Sequence, residues 1–326
     1  MKVVLTKAPG GPEQLYLGEH QMPTPGDEEL LVRVQATAVN RADLMQREGK
    51  YPPPEGASEV LGLEIAGRIE AKGAACDRWS PGDRVFGLLA GGGYAEYAVI
   101  HQDLAMRVPS RLSIEEAAAI PEVFLTAFQA LYWLGELQPD QHVLIHAGAS
   151  GVGTAAIQLV RQAGGHAYVT ASAPKHERCL SLGAEVAINY KNEDFDERIE
   201  AVTKGRGVDL ILDFIGAPYF AQNIQSLALD GRIVLLSTLG GSHLEAVDLR
   251  TLFWKRARIE ASTLRSRSLT YKIDLTQDFS GHCLPLFETG RLRPVIDSIY
   301  DWTEVQAAHR YMGENKNIGK LVLRVM

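Results

Sequence analysis

One stretch, His142-Val143-Leu144-Ile145-His146-Ala147-Gly148-Ala149-Ser150-Gly151-Val152-Gly153, limits the fold of this chain more than any other, because an apolar run there breaks into glycine and opens a helix. Val143 to Ile145 suits a strand buried on both faces, and the helix is expected over about 151 to 164. Glycine at Gly148, Gly151 and Gly153 lets backbone N–H groups approach an anion, and the helix aims its positive N-terminal end at the same point. The pattern predicts a seat for the pyrophosphate of a dinucleotide. It departs from Gly-x-Gly-x-x-Gly because Ser150 stands where the second glycine belongs, and a bare tight turn is the competing reading.

The surroundings repeat a strand–helix alternation. Apolar strands are predicted at 167–171, 186–189, 208–214 and 231–236, and helices at 175–182, 195–203 and 220–227. Such alternation calls for a doubly wound parallel sheet covered on both faces. About twenty residues after the glycine loop, where the ribose 2′ position of a dinucleotide lies, the chain reads Ala171-Ser172-Ala173-Pro174-Lys175-His176, with no carboxylate before Glu177. Ser172 and Lys175 can hydrogen-bond and neutralise a 2′-phosphate, so NADPH is expected over NADH. The plainer reading of Lys175 is a solvated helix start.

The segment before this unit has a different rhythm. Alternating strands are expected at 2–7, 29–38, 63–71 and 94–100, with turns at Pro25-Gly26, Pro81-Gly82 and Gly91-Gly92-Gly93, the pattern of a partly open β-barrel. A helical region near 114–135 leads into the nucleotide unit, and the chain crosses back near 260–265. The apolar strand at 319–325 is expected to return to the first domain.

With 326 residues and a net charge of −7, a general nucleic-acid binder is disfavoured, since that needs a basic surface. The basic cluster Lys255, Arg256, Arg258, Arg265 and Arg267 reads as a solvated rim. No segment is long and apolar enough to span a bilayer, and the N-terminal run is too short for a signal peptide, so a cytoplasmic protein is expected. Cys76, Cys179 and Cys283 are odd in number and far apart, which suits reduced thiols.

Taken in order, Gly10-Gly11-Pro12-Glu13, Asn40-Arg41-Ala42-Asp43, Leu61-Gly62-Leu63-Glu64, Pro81-Gly82-Asp83-Arg84-Val85, Ala118-Ala119-Ile120-Pro121, Leu125-Thr126-Ala127, the glycine loop, Ile188-Asn189-Tyr190, Leu229-Asp230-Gly231-Arg232 and Asn317-Ile318-Gly319-Lys320 resemble the medium-chain dehydrogenase/reductases. Within them the likeness is to the zinc-independent quinone oxidoreductases. Asn40 to Arg47, with Tyr51-Pro52-Pro53-Pro54 after it, most resemble the tumour-suppressor-inducible NADPH quinone oxidoreductase type. The resemblance implies an α/β protein in which a GroES-like catalytic domain, 1–121 and 263–326, carries an inserted Rossmann NADPH-binding domain, 122–262.

It also implies particular roles. Zinc-dependent relatives hold a catalytic ion with a cysteine, a histidine and a further cysteine or carboxylate. This chain has Asn40 and Leu63 at the first two places, so no metal site is expected. Tyr51 and Asn40 would donate hydrogen bonds to a quinone oxygen, with Asp43 organising the loop. Their plainer readings are a packed loop for Tyr51, a helix cap for Asn40, and pairing with Arg41 or Arg47 for Asp43. On the cofactor side, Gly148, Ser150, Gly151, Val152 and Gly153 would take the pyrophosphate. Ser172, Lys175 and Tyr190 would take the 2′-phosphate, although Tyr190 also reads as a strand-end aromatic in the core. Thr126, Leu239 and Gly240 would border the nicotinamide, and Asn317 would close over the cofactor. Lys320 reads as surface. The reaction implied is metal-free hydride transfer from NADPH to a small quinone by a homodimer whose edge strand near 259–263 meets its partner. The alternatives are an alkenal or enone reductase, and a non-catalytic NADPH-holding protein of the crystallin or RNA-binding kind.

Overall fold

The computed structural model describes residues 1–325. The chain divides into two compact units, Met1–Leu125 together with the segment from Leu264 onward, and Thr126–Thr263. In chain order the strands are β1 (Lys2–Thr6), β2 (Leu15–Glu19), β3 (Glu29–Val39), β4 (Glu64–Lys72), β5 (Arg84–Leu88), β6 (Tyr97–His101) and β7 (Ala105–Arg107), then β8 (His142–Ile145), β9 (His166–Thr170), β10 (Val186–Ile188), β11 (Val208–Asp213), β12 (Leu227–Leu235) and β13 (Arg258–Ala261), and last β14 (Ile296–Asp301) and β15 (Lys320–Arg324).

In the first unit β1 and β2 pair by themselves, and the main sheet runs β14-β15-β3-β4-β5-β7 with β6 also on β3. The long β3 has two register shifts against β4, at Leu31/Val32 and Val34/Ala36. An extra residue on one strand bends it and increases its twist, which is how an antiparallel sheet curls into a partly open barrel. The curl encloses Val32, Val34, Ile65, Val85, Tyr94, Leu321 and Leu323. As expected, the last strand returns here, with Leu321 opposite Val39 and Arg324 opposite Ala36.

The second unit is the parallel sheet, ordered β10-β9-β8-β11-β12-β13. Every strand pair in it is parallel. Counted within the unit the order is 3-2-1-4-5-6, so the direction of winding reverses between β8 and β11, and ligands of such sheets bind outside the carboxyl ends at that switch point.

The helical region near 114–135 is broken. Its pieces are Ile114–Ala118, Pro121–Phe128 and a wider turn at Gln129–Leu134. Pro121 has no N–H to offer and its ring clashes with the carbonyl four residues back, so it ends one helix and begins the next. The boundary between the units falls inside the second piece. The strand expected at 231–236 also starts earlier than its sequence suggests, at Leu227.

Sheet curvature brings β3 and β4 unusually close at Gly67, where a Cβ would lie 2.1 Å from the Arg33 carbonyl oxygen. Gly67→Ala must push two hydrogen-bonded backbones apart. It is expected to lower the unfolding free energy by about 1–3 kcal/mol, read as a shift in the urea midpoint without a change of slope.

Candidate functional site

In the second unit the glycine loop leaves β8 and opens the helix Gly151–Gln162. Ser150 is its N-cap: its Oγ accepts the Gly153 N–H at 3.0 Å and its carbonyl accepts the Thr154 N–H at 2.9 Å. The first two amides, Gly151 and Val152, are therefore left over, and amides free at a helix N-terminus are donors that an anion can take. A Cβ on Gly153 would sit 2.5 Å from the Ala147 carbonyl oxygen, so the helix can start this close to the loop only with glycine there. Serine at 150 does not spoil the motif. It supplies the cap that a glycine could not.

Beneath the loop lies a polar chain that connects three strand ends. His146 is fully buried, with Nδ1 3.0 Å from Thr170 Oγ1 and Nε2 2.7 Å from Asn223 Oδ1. Asn223 Nδ2 donates to Asp213 Oδ2 at 3.1 Å, and Asp213 Oδ1 accepts from the Ile215 and Gly216 amides. The carboxylate can only accept, which orients the Asn223 amide and in turn puts the imidazole proton on Nε2. Burial pushes His146 down to about 4 and pushes Asp213 up. The histidine is therefore neutral at physiological pH and works as a fixed strut.

The three residues predicted for a 2′-phosphate come from neighbouring strand ends. Thr170 and Ile188 are register partners, so Ser172 and Tyr190 each stand two residues beyond the paired ends. The Lys175 N–H bonds the Ser172 carbonyl at 2.9 Å. Tyr190 is 45% exposed, which removes the reading of it as a core aromatic. Leu239 and Gly240 donate their amides to Phe214 and Ile215, so that loop runs beside the end of β11. Thr126 is partly buried within its helix. Asn317 stands in the first unit, buried, with its amide on the Gly319 carbonyl at 2.7 Å.

The first unit holds a denser polar centre. Asn40 precedes the helix Arg41–Arg47, and its N–H donates to Asp43 Oδ2 at 2.8 Å, one arm of a capping box. Asp43 also accepts from the Gly62 amide at 3.0 Å and the Tyr94 hydroxyl at 3.2 Å. It pairs with neither Arg41 nor Arg47, whose guanidinium groups go elsewhere. Burial raises it to about 6. Behind Tyr94 the relay continues to His309 Nε2 at 3.1 Å, whose Nδ1 faces Arg47 Nη1 at 3.1 Å. Arginine has donors only, so Nδ1 accepts and Nε2–H donates to Tyr94, which donates to Asp43. Burial and then the Arg47 charge push His309 down to about 3.

Lys320 overturns its reading as a surface residue. It is 2% exposed, and its ammonium donates to Asn40 Oδ1 at 2.5 Å, Glu64 Oε1 at 2.7 Å and the Val39 carbonyl at 3.1 Å. Glu64 is fully buried and also accepts from Asn40 Nδ2 at 2.8 Å and the Glu122 amide at 2.9 Å. Both halves of the Asn40 amide are thus consumed within the fold, so Asn40 positions the loop instead of offering a free donor.

Arg265 likewise does not belong to a solvated rim: it is 6% exposed, with Nε on the Ala90 carbonyl at 2.8 Å and Nη2 on Gln46 Oε1 at 2.7 Å. Its guanidinium lies 5.4 Å from the Tyr51 ring centre, a cation–π contact that fixes the tyrosine loop. Desolvation and the nearby charge of Glu122 raise the Tyr51 hydroxyl. Burial, followed by the Glu64 carboxylate, pushes Glu122 itself up to about 8.

Glu64, Lys320, Glu122, Arg265, Tyr94 and His309 are thus site residues that the sequence reading did not assign. Two of them carried a usable signal, since Glu64 and Lys320 each lead directly into an apolar stretch, Ile65-Ala66 and Leu321-Val322-Leu323, where a charge needs a partner.

Comparison with known proteins gives the lineage. Residues 182–323 match the family described as "Zinc-binding dehydrogenase", and residues 26–110 match "Alcohol dehydrogenase GroES-like domain". The human synaptic vesicle membrane protein VAT-1 homolog is 31% identical over 315 residues, covering 92% of this chain and 80% of that one. A quinone oxidoreductase of Lama guanicoe is 30% identical over 327 residues, covering 99% and 97%. Among solved structures, an NAD-dependent alcohol dehydrogenase superposes with TM-score 0.88 at 32% identity, covering all of both chains. The CurK enoyl reductase gives 0.89 at 29%, covering 99% of this chain and 98% of that one. The Escherichia coli quinone oxidoreductase complexed with NADPH gives 0.88 at 28%, covering 99% of each.

The zinc in the first family description does not fit these residues. A carboxamide, the buried alkyl side chain of Leu63 and an ammonium occupy the centre, and among the described residues no group of three or more His, Cys, Asp and Glu side chains is placed to hold an ion.

The Glu64–Lys320 pair generates a stability prediction. Lys320→Met leaves a carboxylate buried without its counter-charge and is expected to cost about 3–5 kcal/mol of unfolding free energy. Adding Glu64→Gln should return a large part of that loss. Urea denaturation of the two single variants and the double variant reads the coupling directly.

Proposed function

Because the chain belongs to the medium-chain dehydrogenase/reductase family of oxidoreductases, we propose that it transfers hydride from NADPH to quinones, without a metal. The observation that carries the reading is that Asn40, its amide bonded to the Lys320 ammonium, and Leu63 stand where the zinc-dependent relatives have a cysteine and a histidine. With no metal to polarise a carbonyl, the acceptor must bring its own electrophilicity, as quinones and activated enones do. NADPH is supported by Ser172 and Tyr190, each two residues beyond the paired ends of adjacent strands, by Lys175 with no Asp or Glu in 171–176, and by the NADPH complex of a structural neighbour. Gly148, Ser150, Gly151, Val152 and Gly153 take the pyrophosphate. Thr126, Leu239 and Gly240 serve the nicotinamide end, and Asn317 closes on the cofactor.

For the acceptor, the Tyr51 hydroxyl is the donor to the oxygen that gains charge, with Asn40 and Asp43 holding the neighbouring loop. A second reading, reduction of an enone or enoyl group, is favoured by the likeness to an enoyl reductase and uses the same cofactor seat.

Steady-state kinetics of the purified metal-free protein, over a panel of quinones, enals and enones with each cofactor, tests the proposal. NADPH oxidation with a quinone is expected, with a kcat/KM at least about 10-fold above that with NADH, the worth of one charge-assisted contact. Lys175→Ala should remove most of that preference. Tyr51→Phe should lower kcat by roughly 10-fold or more at unchanged NADPH affinity. NADPH binding without turnover of any acceptor would point instead to a holding protein of the crystallin or RNA-binding kind.

We read the assembly as a homodimer. β13 ends the parallel sheet with all four residues exposed, and the adjoining Phe253 and Trp254 are 73% and 69% exposed. An open strand edge beside bare aromatic surface invites a second copy. Light scattering should give twice the chain mass, and Ile259→Lys should shift the population to monomer.

A further inference from the structure

Reducing a quinone with hydride leaves an anion that still lacks one proton. The overall balance is quinone, NADPH and one H⁺ giving hydroquinone and NADP⁺, so some acid must deliver that proton and be reloaded from water. The buried acids around Asn40 and Lys320 are already committed. Asp43 accepts three hydrogen bonds, Glu64 accepts three, the Lys320 ammonium spends all three of its donors, and Tyr94 and His309 are sealed in their own relay. Glu122 differs. It stands in the first turn of the helix Pro121–Phe128, its amide is tied to Glu64, and it is only partly buried. No hydrogen bond involves its carboxyl group among the described residues. The Tyr51 hydroxyl has none either, and the charge of Glu122 acts directly on it.

A second, independent observation concerns Arg265. Its Nη1 is buried with no hydrogen-bond partner, while Nε and Nη2 are both occupied. An unpaired buried guanidinium nitrogen is costly unless an anion forms nearby. The Arg265 charge acts on Glu122 and on Tyr51 alike, so it lies where it would favour a carboxylate or phenolate as the proton leaves.

Resting on the function proposed above, we infer that Glu122 is the acid that gives the reduced acceptor its proton, beside the Tyr51 hydroxyl and under the charge of Arg265. In the step, the C–H bond of the dihydronicotinamide breaks and its electron pair enters the acceptor with the hydride. The Glu122 O–H bond then breaks and its proton forms the new O–H of the hydroquinone. With an enone acceptor the same proton ends on carbon. The glutamate is left as a carboxylate and takes a proton from water before the next turn. Burial, and after it the neighbouring Glu64 carboxylate held in place by Lys320, favours the protonated form of Glu122 between turnovers, so the placement that holds the fold together also supplies the acid.

The pH dependence of turnover tests this. An acid raised to about 8 is protonated below that pH and ionised above it, so kcat of the wild-type protein is expected to fall as pH rises through about 8. Glu122→Gln keeps the shape and cannot give up a proton. It should lower kcat near neutral pH by about 100-fold, abolish the alkaline fall, and leave NADPH affinity by fluorescence titration unchanged. Glu122→Asp, which retains a titrating carboxyl, should keep an alkaline limb at reduced kcat, and this variant decides the matter if the glutamine variant does not fold. A wild-type enzyme active on quinones whose kcat and pH profile survive in both variants overturns the role of Glu122 alone. A wild-type protein that reduces no quinone or enone at any pH overturns the function proposed above, and this inference with it.

Discussion

The ion pair between Glu64 and Lys320 is the constraint on which the first unit depends. Removing two charges from water costs several kcal/mol per ion, recovered only when every donor and acceptor is met. Here each one is. The ammonium has three N–H groups and three acceptors, and both oxygens of the carboxylate are occupied. Those partners lie on different parts of the chain: the end of β3, the cap of the helix Arg41–Arg47, the first residue of β4, the start of β15 and the first turn of the helix Pro121–Phe128. One electrostatic knot therefore sets the register of the returning terminal strand and the position of the helix that carries Glu122. The apolar core would tolerate small slips of these elements, whereas a buried charge pair with fixed geometry does not.

The second unit solves the equivalent problem with almost no charge. Thr170, His146, Asn223 and Asp213 link the carboxyl ends of β9, β8 and β11 through short hydrogen bonds whose direction follows from the one carboxylate at the end. Phe195 and Tyr219 both pack edge-on against the imidazole and tilted against each other, excluding water and keeping it neutral. A nearly uncharged floor suits a loop proposed to present backbone amides to an anion, because a cation buried there would compete with those amides and a further anion would oppose the ligand.

How far the sequence could be read follows from the range of the interactions. The glycine loop, the strand–helix alternation and the β-rich first segment are local patterns with periods of a few residues, and the structure carries all three. The capping of the helix at Asn40 by Asp43 is local as well, three residues apart, and was open to reading. The break at Pro121 was also visible, since a proline inside a helical pattern ends it, yet the apolar run on either side concealed it. What stayed hidden is long-range pairing. Glu64 and Lys320 are 256 positions apart, Tyr94 and His309 are 215 apart, and Arg265 reaches back 175 positions to Ala90. A lysine after glycine at the start of a strand looks solvated until its partner is known, and an arginine in a basic cluster looks like its neighbours. A charge set against an apolar stretch hinted that a partner existed, but no pattern in one sequence says which residue it is.

A positive charge at the centre of the first unit invites comparison with a metal, and the geometry shows where the likeness stops. A catalytic ion polarises a carbonyl by direct coordination through an open position. Lys320 has no open position, because its three donors end on Val39, Asn40 and Glu64, so its charge reaches a substrate only as a field, largely cancelled by Glu64 at 2.7 Å. The groups with spare capacity lie at the edge of the knot: the Tyr51 hydroxyl, the Glu122 carboxyl and Arg265 Nη1. In the roles proposed above, these groups do little to activate an unreactive carbonyl and much to capture an anion once it has formed, by donating to it, protonating it and balancing its charge. On the function and proton donor proposed above, the arrangement suits acceptors that take hydride readily by themselves, with the protein's contribution coming after the electron pair has moved.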